Sequence, residues 1–189
     1  MITVGLITSE DIPEALKISL RELGSDYLSA EDFEEMIEPK DGFCMVAREN
    51  GHVLGFSICK EFGPEEVDDR LRLPHSPERE MLLSKKKIGL LDSASVSENA
   101  RGLGVGRIMS EACLAQFERD GAEIMTAMAW EDVHGHANID HILRNTLGMT
   151  RSFALIGYWN QFVTSPKGHD CPMCGAPCKC YGRLYYRIF

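Results

Sequence analysis

Apolar residues along the first third of the chain switch between a period of two and a period near 3.6. Residues 2–7 (ITVGLI) read as a short strand. Thr8-Ser9-Glu10-Asp11 then places hydroxyls and acids where the free amides of a helix start would need them. Ile12, Ala15, Leu16, Leu20 and Leu23 follow at helical spacing, and Gly24 ends the segment. A second helix is expected over residues 29–37, with Phe33, Met36 and Ile37 on one side and Pro39 beyond its end. Residues 43–48 (FCMVAR) and 53–59 (VLGFSIC) flank Glu49-Asn50-Gly51-His52, and Asn-Gly between apolar runs signals a hairpin. Residues 61–87 are polar with three prolines, which predicts a long functional or mobile loop, with a short helix near residues 78–84.

The second half continues in the same manner. Residues 88–96 (IGLLDSASV) predict a strand. Val105, Ile108, Met109, Ala112, Cys113 and Phe117 predict a helix over residues 104–120, closed by Gly121. Residues 124–130 (IMTAMAW) are apolar nearly throughout, as in a buried strand. A helix over residues 137–147 ended by Gly148, a strand over residues 151–162 and a last strand over residues 183–189 (RLYYRIF) complete the pattern. The order β-α-α-β-β-β-α-β-α-β-β predicts an α/β fold of the α+β kind, a mixed sheet with helices on its faces.

Length and charge narrow the picture. The 189 residues suffice for one full core and would cramp two. The formal net charge of -9 disfavours a surface built to grip nucleic acid or anionic lipid, and it tolerates cationic substrates. The N-terminus lacks a basic, apolar leader, and no stretch approaches the ~18 apolar residues of a membrane span. A soluble cytoplasmic protein in a reducing compartment is expected.

The most informative stretch is residues 96–107, VSENARGLGVGR. Gly102, Gly104 and Gly106 lie between a predicted strand and a predicted helix. Glycine lets backbone approach an anion closely, and the first free amides of a helix then point at it. Arg101 and Arg107 add positive charge, so the loop reads as a pyrophosphate cradle. The plain alternative is a glycine-rich turn. A dinucleotide fold would place such a motif after the first strand, with an acid about 20 residues on, and this motif follows the fourth.

Arg-x-x-Gly-x-Gly after a strand ending in valine, in this element order, resembles the acetyl-CoA loop of the GNAT superfamily of N-acetyltransferases. Leu147-Gly148-Met149 is similar to the Leu-Gly-Phe that closes the family's later helix. The resemblance covers residues 2–163 and the final strand. It implies the acyl-CoA N-acyltransferase fold and acetyl transfer from acetyl-CoA to a primary amine, in a small molecule or a protein, by direct attack in a ternary complex. Ala94 and Val96 would give main-chain contacts to pantetheine, in a gap between the fourth and fifth strands. Arg101, Gly102, Leu103, Gly104, Val105, Gly106 and Arg107 would hold the pyrophosphate. Asn138 stands near the family's cofactor-touching asparagine, although counting back from Gly148 falls on Ala137.

The implied reaction needs a base, an oxyanion donor and a proton for the thiolate. Asp92 is the candidate base, on the face of Ala94, against the reading of a solvated or capping acid; an amide near Val96 is the oxyanion donor. The family's tyrosine acid falls on Arg144, so Tyr158, solvent or a histidine would take its place. His134, His136 and His141 lack a fixed ligand spacing and read as loop and surface residues.

Four of seven cysteines crowd into CPMCGAPCKC. Cys171, Cys174, Cys178 and Cys180 have the spacing of a tetrahedral structural zinc site, with iron as the other metal for four thiolates. The expected division is an acetyltransferase domain over residues 1–163, a zinc-knuckle insertion over 164–182 and a last strand over 183–189. A homodimer is the expected assembly to look for. The competing reading is an inactive CoA-binding fold whose knuckle docks protein or nucleic acid. For it speak Lys167, Lys179, Arg183 and Arg187 against the single acid Asp170, with Tyr181, Tyr185 and Tyr186 among them.

Overall fold

The computed structural model describes residues 1–25 and 27–189. The chain begins with β1 (Thr3–Leu6), α1 (Ile12–Glu22) and α2 (Ala30–Glu34). The hairpin β2 (Gly42–Glu49) and β3 (His52–Phe62) follows. Two short helices, α3 (Val67–Leu71) and α4 (Pro77–Leu83), lead to β4 (Ile88–Val96). Then come α5 (Val105–Asp120), β5 (Ile124–Glu131), β6 (Thr150–Ile156) and β7 (Tyr181–Ile188). The strands form one sheet in the order β1-β2-β3-β4-β5-β7-β6. Every neighbouring pair is antiparallel except β4 and β5, whose parallel pairing requires the crossover that α5 supplies.

Local chemistry accounts for the ends of these elements. Asn50 and Gly51 both take positive φ, 53° and 83°, as a two-residue hairpin turn demands. Asp11 accepts from the Thr8 amide at 2.7 Å, closing the first helix start. The same carboxylate accepts from Arg48 Nε at 2.6 Å, which ties that start to β2.

Alternate residues of each strand serve opposite faces. Phe43, Met45, Met125 and Tyr185 pack under α5 with Met109 and Phe117. On the other face, Cys44, Val46, Phe56 and Ile58 pack against α1 and α2 through Ile18 and Phe33. Beside them, Ile88, Leu90 and Leu184 pack against Val67, Leu71 and Leu82. The segment expected to be a loop over residues 61–87 is therefore a helical cap on its own core. Its apolar residues are few, but Val67, Leu71 and Leu82 are fully buried, and each such leucine is worth about 2–3 kcal/mol.

Three further expectations are corrected. The helix expected over residues 137–147 shrinks to a turn and one π-helical turn, Ile142–Thr146. Leu147 N bonds the Ile142 carbonyl at 3.0 Å, and Leu143 and Leu147 both reach the core by that widening. The strand expected over residues 151–162 stops at Ile156. Gly157 turns the chain at φ 66°, and Tyr158–Phe162 coils into a 3-10 helix with Tyr158 and Trp159 buried. The last strand starts at Tyr181, two residues inside the expected knuckle boundary. Among the described residues, no helix is long and apolar enough to cross a membrane.

Candidate active site and metal centre

The two parallel strands diverge. β4 and β5 pair only from Ile88–Ile124 to Leu91–Ala127. Beyond that point β5 stays with β7 as far as Glu131 and Tyr181. One edge of the β4 backbone from Asp92 to Val96, Ala94 included, is left without a strand partner, which opens a fork in the sheet.

A β-bulge sits at the fork. Cys59 pairs with Leu91 and Ile58 with Ser93, so Asp92 is the extra residue. Leu91 and Val96 consequently pack into the same core although they stand an odd five positions apart. Ala94 shares the side of Val96. Asp92 faces the other way, into a cavity it lines with Leu90. The expectation that Asp92 and Ala94 share a face is thereby corrected: the extra residue reverses the alternation.

The glycine loop lies past the end of β4. Gly102 and Gly104 have φ of 77° and 79°. A Cβ on either would meet nothing within 4 Å, so the positive φ is what calls for glycine there. Gly106 differs: a Cβ would lie 3.1 Å from Ile142 Cδ1, so the loop and the π turn are in close approach. Val105, Gly106 and Arg107 begin α5, where amides have no preceding helical carbonyl to bond. Leu103 is exposed between the glycines. Arg101 is paired with Glu22 at the end of α1, Arg21 with Glu98, and Arg107 with Glu111 at 3.2 Å. The three guanidiniums are exposed, although Glu22 is largely buried, and pairs at such a surface are weak, so the guanidiniums can be exchanged to an anionic ligand at modest cost. Asn138 is exposed in the turn before the π-helical segment, and Arg144 pairs with Asp140 at 3.6 Å.

On the helical-cap side of the fork is a cavity of about 40 Å³. Leu90 and Asp92 of β4 and Met128 of β5 form its floor, and Arg70 and Leu71 of the helical cap one wall. Tyr27, from the α1–α2 connection, and Tyr158, Trp159 and Phe162 supply the rest. Burial pushes the Asp92 carboxyl above the usual carboxylate range; Lys60, a bond from Ser93 and Arg70 partly oppose that rise. The Ser93 hydroxyl lies 3.3 Å from Asp92 Oδ2. Tyr158 is buried and donates its hydroxyl to the Leu71 carbonyl at 2.8 Å. Burial raises that phenol's pKa, and the charge of Asp92 adds to the rise. Asp92 and Tyr158 thus line one cavity, with the phenol proton held toward the cap.

The four knuckle cysteines converge. The sulfur atoms of Cys171, Cys174, Cys178 and Cys180 all lie within 4.8 Å of one another. Cys171–Cys180 is 3.9 Å, Cys174–Cys178 3.8 Å and Cys174–Cys180 3.6 Å. A tetrahedral zinc with ~2.3 Å bonds to sulfur would set those edges at about 3.8 Å. The Lys179 amide donates to Cys174 Sγ at 3.2 Å, as knuckle amides do for thiolates. The donor set fits zinc, and a four-sulfur shell leaves no coordination position for substrate.

Two arrangements escaped the sequence. Asn160 clamps the knuckle to the cavity wall. Its Oδ1 accepts the amides of Cys178 at 2.8 Å and His169 at 3.0 Å, while its Nδ2 donates to the carbonyls of Cys178 at 2.8 Å and Gly157 at 3.1 Å. No local pattern marks an asparagine for that task. At the end of β5, buried Glu131 accepts from Arg183 at 2.6 and 2.8 Å and from Arg151 at 2.7 Å. Arg183, chiefly, with Arg151, holds the Glu131 carboxyl below its usual range against the opposing effect of burial. Tyr185 extends the network, donating to Asp140 at 2.5 Å, which anchors the turn that carries Asn138.

Comparison with known proteins agrees with this geometry. The chain covers its full length against NAA60 of Arabidopsis thaliana in complex with acetyl-CoA, with TM-score 0.69, 13% identity and 99% of that chain covered. It matches the ribosomal-protein-S18-alanine N-acetyltransferase of Escherichia coli at TM-score 0.64 and 14% identity, over 100% of this chain and 94% of that one. A polyamine N-acetyltransferase of Drosophila melanogaster gives TM-score 0.64 and 11% identity, with both chains covered completely. No curated protein matches the chain in sequence. The model of the acetyltransferase (GNAT) family matches residues 10–140, most of the chain, and with the forked sheet and the glycine loop in place the chain belongs to that family.

Proposed function

We propose that this protein transfers an acetyl group from acetyl-CoA to a primary amine by direct attack in a ternary complex. The observation that carries the reading is the fork between β4 and β5, with the glycine loop beyond one side and the Asp92 cavity on the other. In this reading the unpaired backbone at Ala94 and Val96 binds pantetheine, and an amide near Val96 donates to the developing oxyanion. The amides of Gly102, Leu103, Gly104, Val105 and Gly106 receive the pyrophosphate, with Arg101 and Arg107 exchanged from their acidic partners. Asn138 borders the cofactor from the neighbouring turn.

Asp92 acts as the base. Its desolvated carboxyl titrates closer to neutrality than an exposed one, which suits proton removal from an ammonium. Tyr158 orients the cavity wall, and the thiolate takes its proton from solvent. Residues 1–163 with the last strand form the catalytic unit, and the intervening knuckle is a zinc-held brace against the acceptor side. Four free thiolates holding zinc suit a reducing compartment such as the cytoplasm.

Calorimetric titration with acetyl-CoA tests the reading. Saturable binding is expected, and Gly104→Glu should abolish it. That variant puts a side chain at φ 79° and an acid in the anion cradle. Absence of binding by the folded wild-type protein would refute the proposal.

A further inference from the structure

The cavity at the fork selects among amines, an inference that rests on the acetyltransfer reading. Tyr27 and Trp159 meet edge-on at 6.2 Å. Tyr158 contacts Trp159 and Phe162, each at 5.0 Å between ring centroids. This aromatic wall surrounds one carboxylate, Asp92. Aromatic rings and a desolvated carboxylate both attract a cation. The nearby guanidinium, Arg70, already donates to Glu66 at 2.9 and 3.1 Å. Lys60 acts on Asp92 as a charge and carries no bond to it among those described.

Size adds a second constraint. A volume of about 40 Å³ corresponds to about three water-sized units of 10–15 Å³. A nitrogen and two methylenes fill it. The α-amino group of a peptide brings a side chain and a carbonyl on its first carbon and does not. Beyond the shared wall residue Tyr158 lies an open groove of about 550 Å³, bordered by Arg72, Leu73, Ile156, Gly157 and Gln161. It has room for whatever carries the amine.

We propose that the acceptor is an unbranched primary alkylammonium, borne by a lysine side chain or a free alkylamine, whose end enters the aromatic cage against Asp92. There the ammonium gives one proton to the Asp92 carboxylate. The neutral nitrogen forms a bond to the acetyl carbonyl carbon, and the carbon–sulfur bond breaks with its electron pair going to the CoA sulfur. The nitrogen sheds a second proton, the sulfur gains one through water, and Asp92 returns its own to solvent.

The test uses the full, zinc-loaded chain with acetyl-CoA, reading CoA release by chromatography. Four acceptors are compared: pentylamine, 2-aminopentane, Nα-acetyl-lysine amide and a lysine-free peptide with a free N-terminus. Pentylamine or the blocked lysine should exceed both branched amines at least about tenfold in kcat/KM, the scale of one misfitting methyl group. The stronger of the first two identifies the source of the alkylammonium. Faster turnover of the free N-terminus would overturn the proposal. Calorimetric binding of the same amines to the CoA-bound protein separates the two readings. Saturable pentylammonium binding, weakened about tenfold by Asp92→Asn through loss of the counter-charge, supports the cage even if no amine is acetylated, and that case would sink acetyl transfer alone. No alkylammonium binding would sink the cage.

Discussion

Asn160→Ala removes the clamp between the knuckle and the aromatic wall while leaving all four cysteine thiols and Asp92 in place. Four hydrogen bonds are lost, to Cys178 twice, His169 and Gly157. At about 1 kcal/mol net each the total would be about 4 kcal/mol. Asn160 is half-buried, and water replaces part of that, so about 2 kcal/mol is the working figure. The cost falls on local opening of the knuckle, because the sheet pairing of β5, β6 and β7 does not involve Asn160. Two kcal/mol corresponds to about a thirtyfold larger open population. Zinc should therefore pass to a colorimetric chelator about thirty times faster from the variant, at constant chelator and pH. The acceptor KM should rise, since Tyr158, Trp159 and Phe162 adjoin the clamp, and the acetyl-CoA dissociation constant should stay within twofold. Zinc release within twofold of wild type, or a matched loss of acetyl-CoA affinity, would refute the assignment of Asn160 as a local brace.

The remaining predictions concern charge. Asp92→Asn should abolish most acetyl transfer yet raise the melting temperature at pH 7. Burial raises this carboxyl's pKa, so its ionisation opposes folding as pH climbs through the folded value, and the gain from the variant should vanish below the ordinary carboxylate range. The acid limb of the wild-type pH–rate profile should follow the same group, and an unchanged limb in the variant would exclude Asp92 as base. Glu131→Gln should cost about 2–3 kcal/mol, below the 3–5 of a fully buried pair because Arg151 reaches solvent; melting should drop by roughly 5–10 °C. The depressed Glu131 pKa means that the wild-type advantage is present above the unfolded value and fades as pH falls through the folded one. A gap between wild type and variant that stays constant down to pH 2 would contradict this.

The sequence made the frame legible because strand and helix periods are local. Residues 88–96 and 104–120 read correctly, and their junction disclosed the glycine loop by residue type alone. The cysteine cluster was equally open, since ten residues hold all four thiols that converge. The cavity at the fork was not. Tyr27, Arg70, Leu90, Met128 and Trp159 come from five separate stretches of chain, and only folding unites them. Residues 61–87 read as loop because helices of five and seven residues carry too few apolar positions to show a period. Residues 158–162 misled in the opposite sense: they read as the end of a strand over 151–162, and tertiary burial against the cap and knuckle wound them into a 3-10 turn.

The single extra residue in β4 works as a frame shift. Before it, the strand's side chains alternate in one phase between the two sides of the sheet; after it, in the opposite phase. Removing any one residue from Leu91 to Ser93 would restore a continuous phase and turn the side chains on one side of the deletion to the opposite face of the sheet. Substitutions along this strand should then be tolerated far more often than one-residue deletions. A deletion scan across residues 88–96, scored separately for soluble yield and acetyl transfer, should show activity lost at the bulge while strand pairing with β3 survives.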